Sequence, residues 1–367
     1  MGGGPHVVDQ THFPKPTRPF SGRTSNERSV LCPKGSPLTN RNRKATQTKA
    51  IVYERYGSPD VLELQEVKKP TPKENEVLVK VHAASLNAYD WHLLRADPFL
   101  VRIMGFGFLK PKHTIPGADM AGRVEAVGSN VKQFQPGDEV FGCIGWGGFA
   151  EYACSRENLL ALKPAGMTFE QAAATPMAAL TALQGLRNEG KIQSGQKVVI
   201  NGAGGGVGTF AVQIAKSFGA HVTAVCSTRN VDMVRSIGAD QVIDYTQEDF
   251  TRNGQRYDLI LAANGYHSIF DYRRSLSPKG MYVMTGGSYA QMFQVSLLGP
   301  LISITGARKM GGVTARLNQK DLVFIKELWE AGKVKPVIDR RYPLSEVADA
   351  IRYLEEGHAR GKVVITM

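Results

Sequence analysis

The stretch that decides the fold is Val198-Val199-Ile200-Asn201-Gly202-Ala203-Gly204-Gly205-Gly206-Val207-Gly208. A short apolar run, read as a buried strand, enters a glycine cluster and continues into an apolar-periodic helix over Val207–Phe218. Ala203, Gly205 and Gly208 fall at the three positions of a dinucleotide-binding turn, with Ala in the first. Glycine at 205 lets backbone approach a pyrophosphate, and glycine at 208 lets the helix lie close on the strand. Gly206 and Val207 open a helix whose free N–H groups and partial positive charge suit an anion. A glycine turn can also be a tight turn without a ligand. Strand, turn and helix in this order, inside a βαβ unit, make it a cofactor signal.

Outward from the turn, strands and helices alternate. Val222–Cys226, Val242–Asp244, Leu259–Ala262 and Met281–Thr285 read as strands, and Val231–Ile237 as a helix. Such alternation predicts a parallel, doubly wound sheet. Upstream, Thr168 and Gln171 form a capping-box pattern ahead of an Ala-rich helix over Ala172–Gly185. Before that the texture is β-rich: Lys49–Arg55, Leu62–Val67, Val77–Ala84, Gly122–Val127, Asp138–Phe141 and Phe149–Ala153 are strand-like between Gly and Pro turns. Lys320–Trp329 and Glu346–Glu355 are helical, and Lys362–Thr366 is a last strand. The fold class is α/β, with the domains expected at 49–172, completed by 313–367, and at 173–312.

The second strand of the parallel sheet ends at Cys226-Ser227-Thr228-Arg229. An NAD-binding turn usually places an acid there to hold the ribose 2′-OH. Two hydroxyls and a guanidinium suit a 2′-phosphate instead, so the expected cofactor is NADPH. The alternative is that Arg229 caps the next helix or faces solvent.

The chain has 367 residues, 42% hydrophobic and 21% charged, enough for two packed domains. No apolar run reaches the roughly 18–20 residues that span a bilayer: Phe99–Leu109 is broken by Arg102 and Val295–Ala307 by Pro300. The net charge is +12, of which residues 1–49 supply +7, nine Lys/Arg against two Asp/Glu. The body has no basic stripe interleaved with aromatics, so nucleic acid is not an expected partner. Residues 1–48 lack hydrophobic periodicity and read as a disordered basic extension. Their Arg- and Ser-rich, acid-poor character leaves organelle import open. Pro5, Pro14, Pro16 and Pro19 argue against an amphipathic helix there, and a cytoplasmic protein is the expectation. Cys32, Cys143, Cys154 and Cys226 form no close pair, which disfavours a disulfide framework or a four-cysteine zinc.

The β-rich half, the glycine turn and the terminal Gly361-Lys362-Val363-Val364 together resemble the medium-chain dehydrogenase/reductase superfamily. The closer likeness is to its zinc-independent quinone oxidoreductase and enoyl-reductase branch. The resemblance covers Lys49 to Met367. Its specific pieces are Ser85-Leu86-Asn87, Pro116–Gly122, Pro136-Gly137-Asp138-Glu139-Val140 and Gly202–Gly208. It implies a GroES-like catalytic domain into which a Rossmann domain is inserted, and a small-molecule quinone or enone substrate. It leaves a homodimer possible. Zinc-dependent members have a Cys near Asn87 and a Gly-His-Glu motif, which here reads Gly117-Ala118-Asp119. Alanine cannot ligate, so no zinc is expected, and hydride would go to a conjugated C=C–C=O or a quinone.

The resemblance also nominates residues. Asn87 would contact the nicotinamide ribose or substrate, or only hold its own turn. His92, where such reductases have a Tyr, would protonate an enolate. It lies five residues after Asn87 and is expected on about the same helical face; a solvated helix-face histidine is the alternative. Thr181 would lie beside the nicotinamide, Tyr245 near the adenosine phosphate, and Gly286, Gly287 and Ser288 along the nicotinamide side. Lys362 matches a cofactor-proximal lysine, or is a strand-edge charge. The apolar segment Asp97–His113 is read as a lid, an interface or plain packing. Two other functions stay open. An alcohol or aldehyde dehydrogenase would need metal, and a non-catalytic NADPH-binding protein would bind cofactor without turnover.

Overall fold

The structure, a computed structural model, describes residues 46–99, 101–305 and 308–367. The expected extension therefore lies outside the described residues up to 45. Its last residues, Gln47 and Thr48, belong instead to strand β1 (Gln47–Val52), which pairs antiparallel with β2 (Glu63–Lys68).

The catalytic-side sheet is built from β3 (Glu76–Ser85), β4 (Asp119–Val127), β5 (Glu139–Cys143), β6 (Tyr152–Arg156) and β7 (Leu160–Leu162). Between β3 and β4 the chain makes helix α1 (Ala88–Arg95) and a single wide π-type turn, Arg102–Phe106. Alternation along β3 puts Val77, Val79, Val81 and Ala83 into the core.

The helix expected over Ala172–Gly185 is split. After the Thr168–Gln171 cap, α2 (Phe169–Ala173) stops short of Pro176, which opens α3 (Pro176–Leu183). Proline lacks the N–H that would continue the first helix but fits the first turn of a second.

The parallel sheet follows: β8 (Lys197–Asn201), α4 (Gly206–Ser217), β9 (His221–Cys226), α5 (Val231–Ser236), β10 (Gln241–Asp244), β11 (Tyr257–Ala262), α6 (Ile269–Ser275), β12 (Leu276–Met284), α7 (Tyr289–Thr305) and β13 (Lys309–Gly312). Its strand order, β10-β9-β8-β11-β12-β13, reverses direction beside β8, the switch point at which open α/β sheets bind ligands. After α8 (Gln319–Glu330), the chain returns as β14 (Ile338–Pro343), α9 (Val347–Glu355) and β15 (Lys362–Thr366). β15 pairs antiparallel with β3, so the last residues of the chain complete the first sheet and bring Lys362 to the switch point.

Candidate active site

At the glycine turn, Gly202 sits at φ +83°, and the amides of Gly202 and Ala203 both donate to Val225 O of the neighbouring strand. A Cβ on Gly208 would lie 2.1 Å from Gly202 O, so helix and strand touch there as the motif requires. A Cβ on Gly205 would meet nothing closer than 3.7 Å, leaving that backbone open to a ligand. No side chain caps α4, so its first-turn amides are available to an anion. The residues fit a bound pyrophosphate.

The turn is clasped from the far end of the sequence. Gly361 N–H donates to Gly204 O (2.9 Å), and Lys362 Cδ would lie 3.1 Å from a Cβ on Gly206. Lys362 is 3% exposed. Its ammonium donates to Leu86 O (2.7 Å) and Asn87 Oδ1 (2.5 Å), 3.8 Å from Asp119 Oδ2. Asn87 Nδ2 in turn donates to Asp119 Oδ2 (3.0 Å). Both ends of the Asn87 amide are therefore engaged in a fully buried lysine–amide–carboxylate chain. Asp119 also accepts the Met177 N–H (3.1 Å), at the start of the helix that carries Thr181. Burial pushes the Lys362 pKa down and the Asp119 pKa up, each opposed by the other's charge.

Asp90, one turn into α1, is fully buried. It accepts Asn87 N–H (2.8 Å) and Ala118 N–H (3.1 Å), and burial pushes its pKa up to about 7. In the sequence Asp119 is only the last letter of Gly117-Ala118-Asp119, and nothing marks Asp90. Their role shows only once β3, α1, β4 and β15 converge.

Zinc does not fit this donor set. Ala118 offers no ligand, the Asn87 amide oxygen is taken by Lys362, and the Lys362 ammonium already supplies the cation. Among the described residues no group of three His, Cys, Asp or Glu could hold a metal.

Other nominated residues disperse around this centre. Thr181 is buried, its hydroxyl donating to Met177 O (2.7 Å) one helical turn back. Gly286, Gly287 and Ser288 follow β12 at the same sheet edge as the glycine turn, and Ser288 Oγ accepts the Gln291 N–H (3.3 Å). Asn87 and His92 do not share a face. Five residues turn a helix by about 500°, or 140° net. His92 instead stacks on Trp91 (3.6 Å), and its Nδ1 lies 2.7 Å from Asp97 O. Asp97 also holds the Tyr289 hydroxyl, whose pKa burial and that bond push up to about 12. His92 and Tyr289 (6.3 Å) thus face each other across the two sheets' units.

At the end of β9 the structure adds an acid from the neighbouring strand. The parallel register sets Asp244 opposite Cys226, and Thr228 Oγ1 donates to Asp244 Oδ2 (2.5 Å). That bond holds the Asp244 carboxyl below the usual range, so it is an anion beside the cofactor's expected ribose. Arg229 donates to His358 O (2.9 Å), and Tyr245 is exposed next to the same strand end. Ser227 Oγ accepts from Asn230 Nδ2 (3.1 Å), whose amide packs on Gly204. The acid was missed because it arrives on the adjacent strand.

Residues 73–165 match the alcohol dehydrogenase GroES-like domain, and residues 237–365 match the zinc-binding dehydrogenase domain. The chain is 37% identical to the chloroplast envelope quinone oxidoreductase homolog of Arabidopsis thaliana, over 86% of this chain and 97% of that one. It is 38% identical to the chloroplastic NADPH-dependent alkenal/one oxidoreductase of the same plant, over 87% and 79%. The quinone oxidoreductase from Coxiella burnetii superposes with a TM-score of 0.78 at 31% identity, covering 88% of this chain and 99% of that one. With fold, glycine turn and sequence in agreement, the chain belongs to the medium-chain dehydrogenase/reductase superfamily, in its quinone oxidoreductase and enone reductase branch.

Proposed function

We propose that this chain is an NADPH-dependent, zinc-free reductase of quinones and α,β-unsaturated carbonyls. The observation that carries the reading is the buried Lys362–Asn87–Asp119 chain, an internal cation where a metal ligand set would otherwise be, joined to an open glycine turn. Gly205, Gly206, Val207 and Gly208 would hold the pyrophosphate, with Ala203 packed beneath. Ser227, Thr228, Arg229 and Tyr245 would border the adenosine ribose. Thr181, Gly286, Gly287, Ser288 and Lys362 would border the nicotinamide half. The bound cofactor supplies a hydride to the electron-poor carbon of the conjugated system, chemistry that needs no alkoxide-stabilising metal.

The chain's own part is orientation and protons. Lys362 and Asp119 fix Asn87 from both sides, so the edge of its amide is a rigid surface for substrate or ribose. The Asp97 carbonyl takes the Nδ1–H of His92, so a proton for an enolate would leave from Nε2 of the imidazolium, with the neutral Nδ1–H ring left behind. NADPH oxidation against quinones, enones and enals, with alcohols run in reverse and chelator present throughout, tests the reading. Turnover confined to alcohols, or lost in chelator, overturns it.

The proton assignment has its own test. His92→Phe should lower enone kcat by about 10²–10⁴ while NADPH binding, followed by fluorescence, stays near the parent's. Quinone turnover should fall less, because solvent can protonate a hydroquinone anion. Enone kcat within about twofold of the parent removes His92 from the mechanism.

We also propose import into an organelle through the acid-poor residues 1–48, in place of the cytoplasm. A fluorescent fusion of that segment tests it, and diffuse cytosolic signal refutes it.

A further inference from the structure

Helix α7 is apolar on every side, and none of its 17 residues is charged. One face, with Val295, Leu298 and Ile302, packs against Tyr272 and Tyr282. The other turns Tyr289, Met292, Phe293, Leu297 and Ile304 outward, between 43% and 81% exposed. A helix of this composition ordinarily has apolar surroundings on both faces. Helix α6 extends the surface. Phe270 is 57% exposed, and Tyr266, just before α6, is 53% exposed and accepts from Gln294 Nε2 of α7 (3.1 Å).

Beside this apolar strip lies an open basin of about 310 Å³ lined by Arg256, Phe270, Arg273, Arg274 and Arg308. Arg308 Nε donates to the carbonyls of Leu276 and Ser277 (3.2 Å each). Arg274 pairs with Asp271 (2.5 Å), the one carboxylate on α6 and α7. Arg256 and Arg273 form no ion pair among the described residues.

We propose that this face docks on an anionic lipid bilayer, with α7 lying in the interface and the arginine basin on headgroup phosphates. The same face of a second copy would bring the same arginines and, on α6 and α7, only Asp271, already paired with Arg274; an anionic bilayer meets both the charge and the apolar strip. At about 1.5 Å per residue the helix is about 26 Å long and has Pro300 within it. No described helix is long and apolar enough to cross a membrane, so the geometry is one of lying on the surface. The first residue of α7, Tyr289, faces His92, so docking would turn the mouth of the site toward the lipid. An acceptor with a long apolar tail could then enter from the bilayer. That consequence rests on the function proposed above; flotation needs no turnover and is read separately.

The test is flotation of the full chain at low salt with phosphatidylcholine vesicles, plain or with about 30 mol% phosphatidylglycerol. The parent should float with the anionic vesicles only. Phe293→Glu/Leu297→Glu, and separately Arg256→Glu/Arg273→Glu, should each cut the bound fraction about tenfold or more, with folding by circular dichroism and turnover of a water-soluble quinone unchanged. Three outcomes overturn the proposal: no flotation of the parent; full flotation of both variants, which assigns binding to the basic residues 1–49; or no flotation together with a parent dimer that Phe293→Glu/Leu297→Glu dissociates, which assigns the face to a second copy.

Discussion

The glycine turn and the buried charge chain sit side by side, yet they are encoded in opposite ways. The turn is eleven consecutive residues whose geometry follows from local rules: an apolar strand, a glycine at positive φ, a helix with no cap. The charge chain takes Asn87 from the start of α1, Asp119 from β4 and Lys362 from β15. Lys362 and Asn87 are 275 positions apart. One is written in spacing, the other exists only after two sheets have closed. The turn is an invitation to a ligand, whereas the chain is a cost that folding must offset. Burying an ammonium and a carboxylate is unfavourable unless each finds partners, and here the Asn87 amide bridges them.

The largest effect should come from breaking that chain on one side. Lys362→Met leaves Asp119 and the Asn87 oxygen buried with a partner gone, and should destabilise by about 3–5 kcal/mol in equilibrium denaturant unfolding. Lys362→Met/Asp119→Leu removes both charges and should recover much of the loss, since apolar replacement of a buried pair is often near neutral. If the double variant is no better than the single, the lysine acts by packing on Gly206 and not through its charge. The same comparison in NADPH binding separates stability from cofactor contact. A folded double variant that still binds NADPH normally would remove Lys362 from the cofactor site.

Two glycines sharpen the local side of the contrast. Gly208→Ala drives a methyl to within 2.1 Å of a carbonyl oxygen and should cost stability and binding together. Gly205→Ala has room in the protein, so unfolding should shift by less than about 1 kcal/mol while NADPH affinity falls about tenfold or more. Equal losses of stability in both would mean that Gly205 serves the fold and not the ligand.

What was legible follows the same division. The order of strands and helices around the glycine turn, the Thr168–Gln171 cap and the terminal strand could be read because each depends on neighbours in sequence. The split at Pro176 was readable in principle, but an Ala-rich run masked it. Helix α7 reads in the sequence only as an apolar stretch broken by Pro300, because a helix apolar on both faces has no periodicity to detect. β13 reads Lys-Met-Gly-Gly and has no strand-like composition; pairing with β12 and the packing of α7 hold it in place. The site was half legible for the same reason. Gly205 and Gly208 announce themselves, whereas Asp244 reaches Thr228 only through the parallel register of β9 and β10.

That register sets the next effect, a specificity change. Arg229→Ala should weaken NADPH about tenfold and NADH little, the value of a charge-assisted hydrogen bond of roughly 1.5–3 kcal/mol. Asp244→Asn removes an anion bonded to Thr228 and should shift preference further toward NADPH by a few-fold in Kd. A shift toward NADH instead would show that Asp244 only holds Thr228 in place.

The smallest effect is a slope. Asp90 has a folded pKa near 7 against an ordinary value of 3.8, because burial disfavours its charge. Between these values the folded state binds more protons than the unfolded chain. Its contribution is therefore fully present below about pH 4 and is lost as pH rises through 7, at most about 1.4 kcal/mol per pH unit. Asp119 and Lys362 titrate in the same pocket, so the informative quantity is the difference between parent and variant. Asp90→Asn should be less stable than the parent at pH 4, since its Nδ2 cannot accept the second of the Asn87 and Ala118 N–H groups. Its stability should nevertheless fall less steeply than the parent's from pH 4 to 7. Parallel curves would mean that Asp90 stays ionised, held by those two N–H donors and the nearby Lys362 against its burial, and that the excess negative charge of the buried cluster is real at neutral pH.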